Sequence, residues 1–167
     1  MLHESEKDGR QYLYKNGYAN FNYGHNNYAS FTDEPKKITI SKSPYVGGGA
    51  GVVLCSSSKI TIPSDAENLV IEMEFPVIPV PYIVSWFLCE KYSTSYDVSA
   101  GTVYKAGSFA REIKMSDDMP SVIAGTGIMK LTMPLDEVSV QSAYLRMYAY
   151  GTVSGNLNMN IRKIYFE

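Results

Sequence analysis

The alternation of residues 68–75, NLVIEMEF, constrains the fold more than any other feature of the sequence. Successive side chains of a β-strand point to opposite faces, so a period of two sorts the residues into two sets. One set is entirely apolar: Leu69, Ile71, Met73 and Phe75. The other is Val70, Glu72 and Glu74. This pattern predicts a half-buried antiparallel strand with one face in the core and one face in water.

Other segments repeat the β pattern. Residues 82–89, YIVSWFLC, are almost continuously apolar, which predicts a strand in the middle of a sheet with both faces covered. We also predict strands at 37–41, 59–63, 108–115, 128–133, 144–150 and 156–166. In the last segment, apolar residues change parity between Ile161 and Ile164, so a β-bulge is expected near Arg162 and Lys163.

No stretch sustains a helical period, and turn residues separate the apolar segments. Eight to ten short strands without helices indicate an all-β fold, a two-sheet antiparallel sandwich of the jelly-roll type. The residues expected to be largely buried in it are Leu69, Ile71, Met73, Trp86, Leu145, Met147 and Leu157.

The length of 167 residues fits one hydrophobic core. We predict a polar N-terminal arm over residues 1–11 and a single β-sandwich domain over residues 12–167. Neither a signal peptide nor a transmembrane segment is expected, because the opening residues lack an apolar run and prolines interrupt the longest apolar stretch. Fifteen Lys and Arg against seventeen Asp and Glu give a net charge of −2 without a charged block, so no nucleic-acid or membrane partner is expected.

The sequence contains no recognisable catalytic or cofactor motif. The signatures GxSxG and HExxH are absent, and the glycine run 46–51 lacks the Lys-Ser/Thr and the following helix of a phosphate loop, which favours a flexible connection. Glu72 and Glu74 could be the carboxylate pair of a glycan hydrolase, but alternation alone already predicts polar residues there. The sequence therefore predicts a protein that is not an enzyme and has no cofactor.

Cysteines and acidic residues leave two structural questions open. Cys55 and Cys89 lie in apolar segments, which favours reduced, buried thiols, although a cross-strand disulfide would form if the two strands were neighbours. The metal content is left unknown, with a structural calcium ion as one alternative. The carboxylates available for it are Asp65, Asp97, Asp117 and Asp118.

Two segments have the composition of a sugar-binding surface, in which rings stack on sugar C–H faces and amides bond hydroxyls. In residues 18–31, YANFNYGHNNYASF, the candidate residues are Tyr18, Asn20, Asn22, Tyr23, Asn26, Asn27 and Tyr28. The alternative is an Asn/Gly-rich loop with a few aromatic anchors in the core. The second segment, EKYSTSYD, supplies Tyr92 and Tyr96.

The order of segments resembles a known group of domains. An opening Leu13-Tyr14-Lys15-Asn16-Gly17 precedes the aromatic stretch, a KITI strand leads to a Leu-x-Ile-x-Met strand, Lys91-Tyr92-Ser93 follows a strand, and the chain closes on YLRMY and IRKIYFE. This is similar to the carbohydrate-binding-module-like β-sandwich domains of bacteriophage and prophage tail, baseplate and fibre proteins.

The resemblance implies a protein of the phage virion that binds host-surface glycans or other virion proteins. A homo-oligomer is expected, because exposed sheet edges and fourteen tyrosines offer interaction surface and virion parts repeat by symmetry. The resemblance transfers no ligand residues, because the family has no fixed site motif. The alternatives are a capsid decoration or head protein, a free carbohydrate-binding module and, less favoured, a β-sandwich glycan hydrolase.

Overall fold

The computed structural model describes residues 11–15, 21–25, 29–32, 37–40, 49–75, 82–94, 101–111, 121–123, 127–152 and 157–167. These residues form thirteen strands, and no helix occurs among them. The strands are β1 (Gln11–Lys15), β2 (Phe21–His25), β3 (Ala29–Thr32), β4 (Lys37–Ile40), β5 (Gly49–Ser56), β6 (Ile60–Thr61), β7 (Asn68–Phe75), β8 (Tyr82–Cys89), β9 (Val103–Arg111), β10 (Ser121–Ile123), β11 (Gly127–Pro134), β12 (Ser142–Thr152) and β13 (Leu157–Phe166).

The strands form two sheets. Sheet A has the order β11-β7-β13-β4-β3, and β1 pairs with the C-terminal half of β13. Sheet B has the order β10-β9-β8-β12-β5-β2, and the short β6 pairs with the start of β12. Neighbouring strands are antiparallel in both sheets, except that β10 runs parallel to β9.

The connections give the jelly-roll topology that the sequence predicts. Eight strands, β4, β5, β7, β8, β9, β11, β12 and β13, can be numbered 1 to 8 in chain order. They then fall in the order 6-3-8-1 in sheet A and 5-4-7-2 in sheet B. The chain therefore crosses repeatedly between the sheets, as in two interlocked Greek keys.

The core lies between the sheets and is formed by the apolar faces that alternation assigns. The predicted core residues with described side chains are at most 1% exposed: Leu69, Ile71, Met73, Trp86, Leu145 and Met147. Leu157 is described only through its backbone, which pairs with Ile40. The two sheets pack closely near β9, where a Cβ atom on Gly107 would lie 3.0 Å from Sδ of Met133 in sheet A.

The outer face of sheet A carries ion pairs. Glu74 pairs with Arg162 at 3.3 Å and Glu72 with Lys163 at 3.9 Å, so the two carboxylates line a charged strand face as predicted. The predicted bulge is also present, since the register of β13 against β7 shifts between Ile161 and Lys163.

Val70 lies on the face that was expected to be solvated, but it is fully buried together with Tyr165, its partner across β7 and β13. The hydroxyl of Tyr165 lies 3.5 Å from Oε1 of Glu72 and donates to it. One end of this outer face is therefore covered rather than solvated.

Three local predictions were wrong. Residues 18–31 contain β2 and β3 instead of a continuous loop, and the second half of the glycine run begins β5 at Gly49. The strand predicted at 108–115 begins five residues earlier, at Val103. In the first two cases pairing with a neighbouring strand extends β structure into Asn and Gly residues of low intrinsic β preference. In β9 the added residues begin with Val103 and Tyr104, which favour strands, and they pair with the end of β8.

Candidate functional site

The candidate site lies on the outer face of sheet B and is built around the central strand β12. Alternation in β12 places Ala143, Leu145, Met147 and Ala149 in the core. The intervening Tyr144, Arg146 and Tyr148 therefore point away from the core, and each is half-buried. Three large side chains with polar ends thus follow one another along the outer face of a single strand.

The strands on either side of β12 contribute mostly small residues to the same face. On β8, Cys89 and Ser85 pair with Tyr144 and Tyr148, and on β5, Cys55 pairs with Arg146. These three small residues are at most 1% exposed, so they form the floor of the face between the larger side chains. Two larger residues lie on the same face: the half-buried Phe87 of β8, opposite Arg146, and the fully buried Val53 of β5, opposite Tyr148.

A further ring comes from the segment that follows β8. Tyr92 is 42% exposed, and its ring contacts that of Tyr144 edge-on, with centroids 5.9 Å apart and planes at 68°. This is a favourable aromatic geometry, worth about 0.5–1.5 kcal/mol beyond the area that it buries. We call the surface formed by Phe87, Tyr92, Tyr144, Arg146 and Tyr148 the tyrosine face.

The segment carrying Tyr92 is fixed where it leaves the sheet. The Glu90 amide donates to the Thr102 carbonyl at 2.9 Å, and the Thr102 amide donates to the Glu90 carboxylate at 3.4 Å. Gly101 beside them has a φ of +73°, a backbone conformation that residues other than glycine rarely adopt. A Cβ atom there would also collide with the Glu90 carboxylate. Glycine is therefore required at position 101, where the two ends of the β8–β9 connection meet.

The electrostatics beneath the tyrosine face are set by burial. Burial raises the pKa of the Cys89 thiol from 9.0 to about 11, with a smaller contribution in the same direction from Cys55 and a lowering contribution from the Arg146 guanidinium. Burial also raises the pKa of Cys55, against lowering contributions from a hydrogen bond with the Ser93 backbone and from Arg146. Both thiols are reduced, buried and protonated at neutral pH, as favoured from the sequence.

These groups suit the recognition of a polar ligand with apolar faces. Tyrosine rings offer stacking surface and hydroxyl donors, and a guanidinium offers several donors in a rigid plane. Within the part of the chain that the structure describes, no group of three His, Cys, Asp or Glu side chains could hold a metal ion. Asp65 is exposed, and the other calcium candidates, Asp97, Asp117 and Asp118, lie outside the described residues.

The structure brings some of the predicted site residues to the same sheet. Tyr92 belongs to the tyrosine face, and β2, at the edge of sheet B, carries Asn22 and Tyr23, whose backbones pair with Cys55 and Leu54. The remaining predicted residues lie outside the described parts of the chain: Tyr18, Asn20, Asn26, Asn27, Tyr28 and Tyr96.

Sequence reasoning missed Tyr144, Arg146 and Tyr148. The signal was present, because YLRMYAY alternates large amphipathic residues with core residues inside one strand. A strand face of this composition differs from the Glu and Lys that an ordinary solvated face carries. The contact with Tyr92, 52 positions away in the chain, could be seen only in the structure.

No protein-family model and no curated protein matches the chain. Among solved structures, one that concerns the promiscuous specificity of carbohydrate-binding modules from the β-sandwich superfamily aligns with a TM-score of 0.53 and 14% identity, over 92% of this chain and 62% of that one. The chain thus spans less than two thirds of that structure.

Two more distant structures complete the comparison. A family 11 carbohydrate-binding module from Clostridium thermocellum, in complex with a β-1,3-1,4-mixed-linked tetrasaccharide, aligns with a TM-score of 0.49 and 8% identity over 99% of this chain and 93% of that one. The enzymatically active domain of tailspike protein 4 of bacteriophage CBA120 aligns with a TM-score of 0.43 and 13% identity, over 88% of this chain and 19% of that one. The chain has the β-sandwich fold of carbohydrate-binding modules.

Proposed function

We propose that the protein is a non-catalytic glycan-binding protein and that the tyrosine face of sheet B is its contact surface. The observation that carries the proposal is the joining of Tyr92 from one connection with Tyr144, Arg146 and Tyr148 of β12 on one outer sheet face. A sandwich needs no such set for stability, because charged residues would suffice on an outward strand face.

The fold supports the same proposal without identifying a ligand. A structure of carbohydrate-binding modules shares the β-sandwich over 92% of this chain. Asn22 at the neighbouring edge strand, with the Asn-rich residues 26–27 that follow β2, would add amide groups to the contact surface. We include Tyr18, Asn20, Tyr23, Tyr28 and Tyr96 in the proposed binding region on the same compositional grounds.

The proposal is tested by affinity electrophoresis on a panel of polysaccharides: a mixed-linkage β-1,3-1,4-glucan, a β-1,4-galactan and a bacterial cell-wall polysaccharide. Tyr144→Ala should weaken binding roughly 5- to 30-fold, since truncating a central aromatic contact costs about 1–2 kcal/mol. Tyr144→Phe keeps the ring and separates stacking from hydroxyl bonding. Ile128→Ala, at an exposed residue of sheet A, is the matched control and should bind as the unaltered protein does.

The proposal fails if the unaltered protein binds none of these polysaccharides even when it is presented in many copies on a bead. It also fails for this surface if Tyr144→Ala and Ile128→Ala bind equally well. If Tyr23→Ala and Tyr28→Ala alone lose binding, the contact surface lies on the 18–31 segment instead of β12.

We further propose that this binding operates in a phage particle of the tail, baseplate or fibre type, with other virion proteins as partners. Support comes from the order of segments and the IRKIYFE ending described above. A shallow sugar site is weak alone, and many copies in one particle would raise its effective affinity. Sedimentation analysis checks the oligomer that this requires, because a free carbohydrate-binding module should be monomeric.

A further inference from the structure

The two buried thiols lie beneath the segment that presents Tyr92. Residues 91–93, which we call the strap, follow β8 directly. The Cys89 thiol lies 3.7 Å from the Lys91 carbonyl and 3.6 Å from the Tyr144 carbonyl, and it can donate to either. The same side chain therefore touches the backbone on both sides of the Tyr92–Tyr144 ring contact.

The strap crosses the end of sheet B. It starts above β8 at Lys91, brings Tyr92 against Tyr144 of β12, and has the nearly inaccessible Ser93 at its far end, 3% exposed. A hydrogen bond from the Ser93 backbone lowers the pKa of the Cys55 thiol on β5, so this backbone lies beside that thiol. Three neighbouring strands, β8, β12 and β5, thus each contribute one contact to a segment of three residues.

We propose that Cys89, assisted by Cys55, is a positioning residue of the glycan site, whose thiol holds the strap on sheet B so that Tyr92 stands against Tyr144. This inference rests on the proposed function, because it assigns Tyr92 to a contact surface. A thiol fits the position since it is small enough for the floor of the face and donates weakly without requiring water. Burial keeps it protonated, so the donor persists throughout the neutral range.

The test begins with a readout that needs no ligand. We expect trypsin to cleave after Lys91 only when the strap lifts, because the bond that it would cut lies in the segment held on sheet B. Lys59, exposed between β5 and β6, provides an internal reference in the same molecule. In Cys89→Ala we expect the rate after Lys91, relative to the rate after Lys59, to rise roughly three- to tenfold, the range for one lost hydrogen bond. Cys89→Ser keeps a donor and should remain near the unaltered ratio, and Cys55→Ala should show a smaller rise than Cys89→Ala.

The second readout tests whether the position of the strap affects binding. The nuclear Overhauser effect between the rings of Tyr92 and Tyr144 should weaken in Cys89→Ala and persist in Cys89→Ser. Affinity for the polysaccharide of the panel that the unaltered protein binds best should fall in Cys89→Ala about as far as in Tyr92→Ala. Melting temperatures identify any variant whose whole fold is disturbed. If Cys89→Ala is such a variant, Cys55→Ala takes its place, and its affinity should fall, though less far than that of Tyr92→Ala; an unchanged affinity would overturn the positioning role.

The outcomes separate the two proposals. Unchanged proteolysis and an unchanged ring contact in Cys89→Ala would overturn the positioning role. A released strap with unaltered affinity would overturn it too, because Tyr92 would then need no positioning for binding. Failure of the unaltered protein to bind any polysaccharide refutes the proposed function before a cysteine is changed.

Discussion

Truncating Ile71 to Ala should cost the fold about 3–4 kcal/mol. Ile71 is fully buried in β7 and pairs with Leu131 on one side and Ile164 on the other, all three within one core cluster. The substitution removes three carbon atoms, which at about 0.8 kcal/mol each account for about 2.4 kcal/mol of lost transfer energy. The cavity left between the two sheets adds to this, which places the total within the usual range of about 2–5 kcal/mol.

The assay is urea unfolding followed by the fluorescence of Trp86, the single tryptophan, which is fully buried. The matched control is Ile128→Ala in the same sheet, which removes the same atoms from a residue that is 57% exposed. It should cost less than about 1 kcal/mol, the span of intrinsic strand preferences. If Ile71→Ala were no more destabilising than Ile128→Ala, the assignment of core and solvent faces in sheet A would be wrong.

Three further predictions concern Gly101 in the β8–β9 connection, the Cys89 thiol and the charged outer face of sheet A. Gly101→Ala should destabilise the protein by at least about 1 kcal/mol, measured by thermal unfolding, because φ is +73° and the added Cβ would meet the Glu90 carboxylate. The pKa of the Cys89 thiol is raised from 9.0 to about 11, so the stability that the protonated thiol contributes is complete below pH 9 and is lost as the pH rises from 9 to 11. Unfolding experiments should therefore show the free energy of unfolding falling more steeply over that range in the unaltered protein than in Cys89→Ala. Glu74→Gln should change the free energy of unfolding by less than about 1 kcal/mol, because its Arg162 partner is half exposed; a larger loss would show that the pair is more than a surface contact.

Strand positions followed from the sequence where one strand carries a complete pattern. β7 and β8 have the predicted bounds, because strict alternation in one and continuous apolarity in the other are local properties. The bulge in β13 could be predicted for the same reason, since the change of parity between Ile161 and Ile164 has one simple structural solution.

The candidate site was predicted only in part, because it depends on which strands become neighbours. Tyr92 stood out by composition, but its partner Tyr144 follows from the placement of β8 beside β12 in sheet B. β2 escaped prediction because its Asn and Gly residues have low strand preference, and pairing with β5 supplies the missing stabilisation. Long-range pairing of this kind leaves no local mark in a single sequence.

Nuclear magnetic resonance titration of the unaltered protein shows whether sheet B presents a glycan-binding tyrosine face. The ligand is an oligosaccharide of the polysaccharide that the protein binds best in the panel. We expect saturable shifts of the ring signals of Tyr92, Tyr144 and Tyr148, with the methyl signals of Ile128 on sheet A unchanged. Saturable shifts confined to sheet A, or a bound ligand that leaves the three rings unperturbed, would contradict the proposed contact surface.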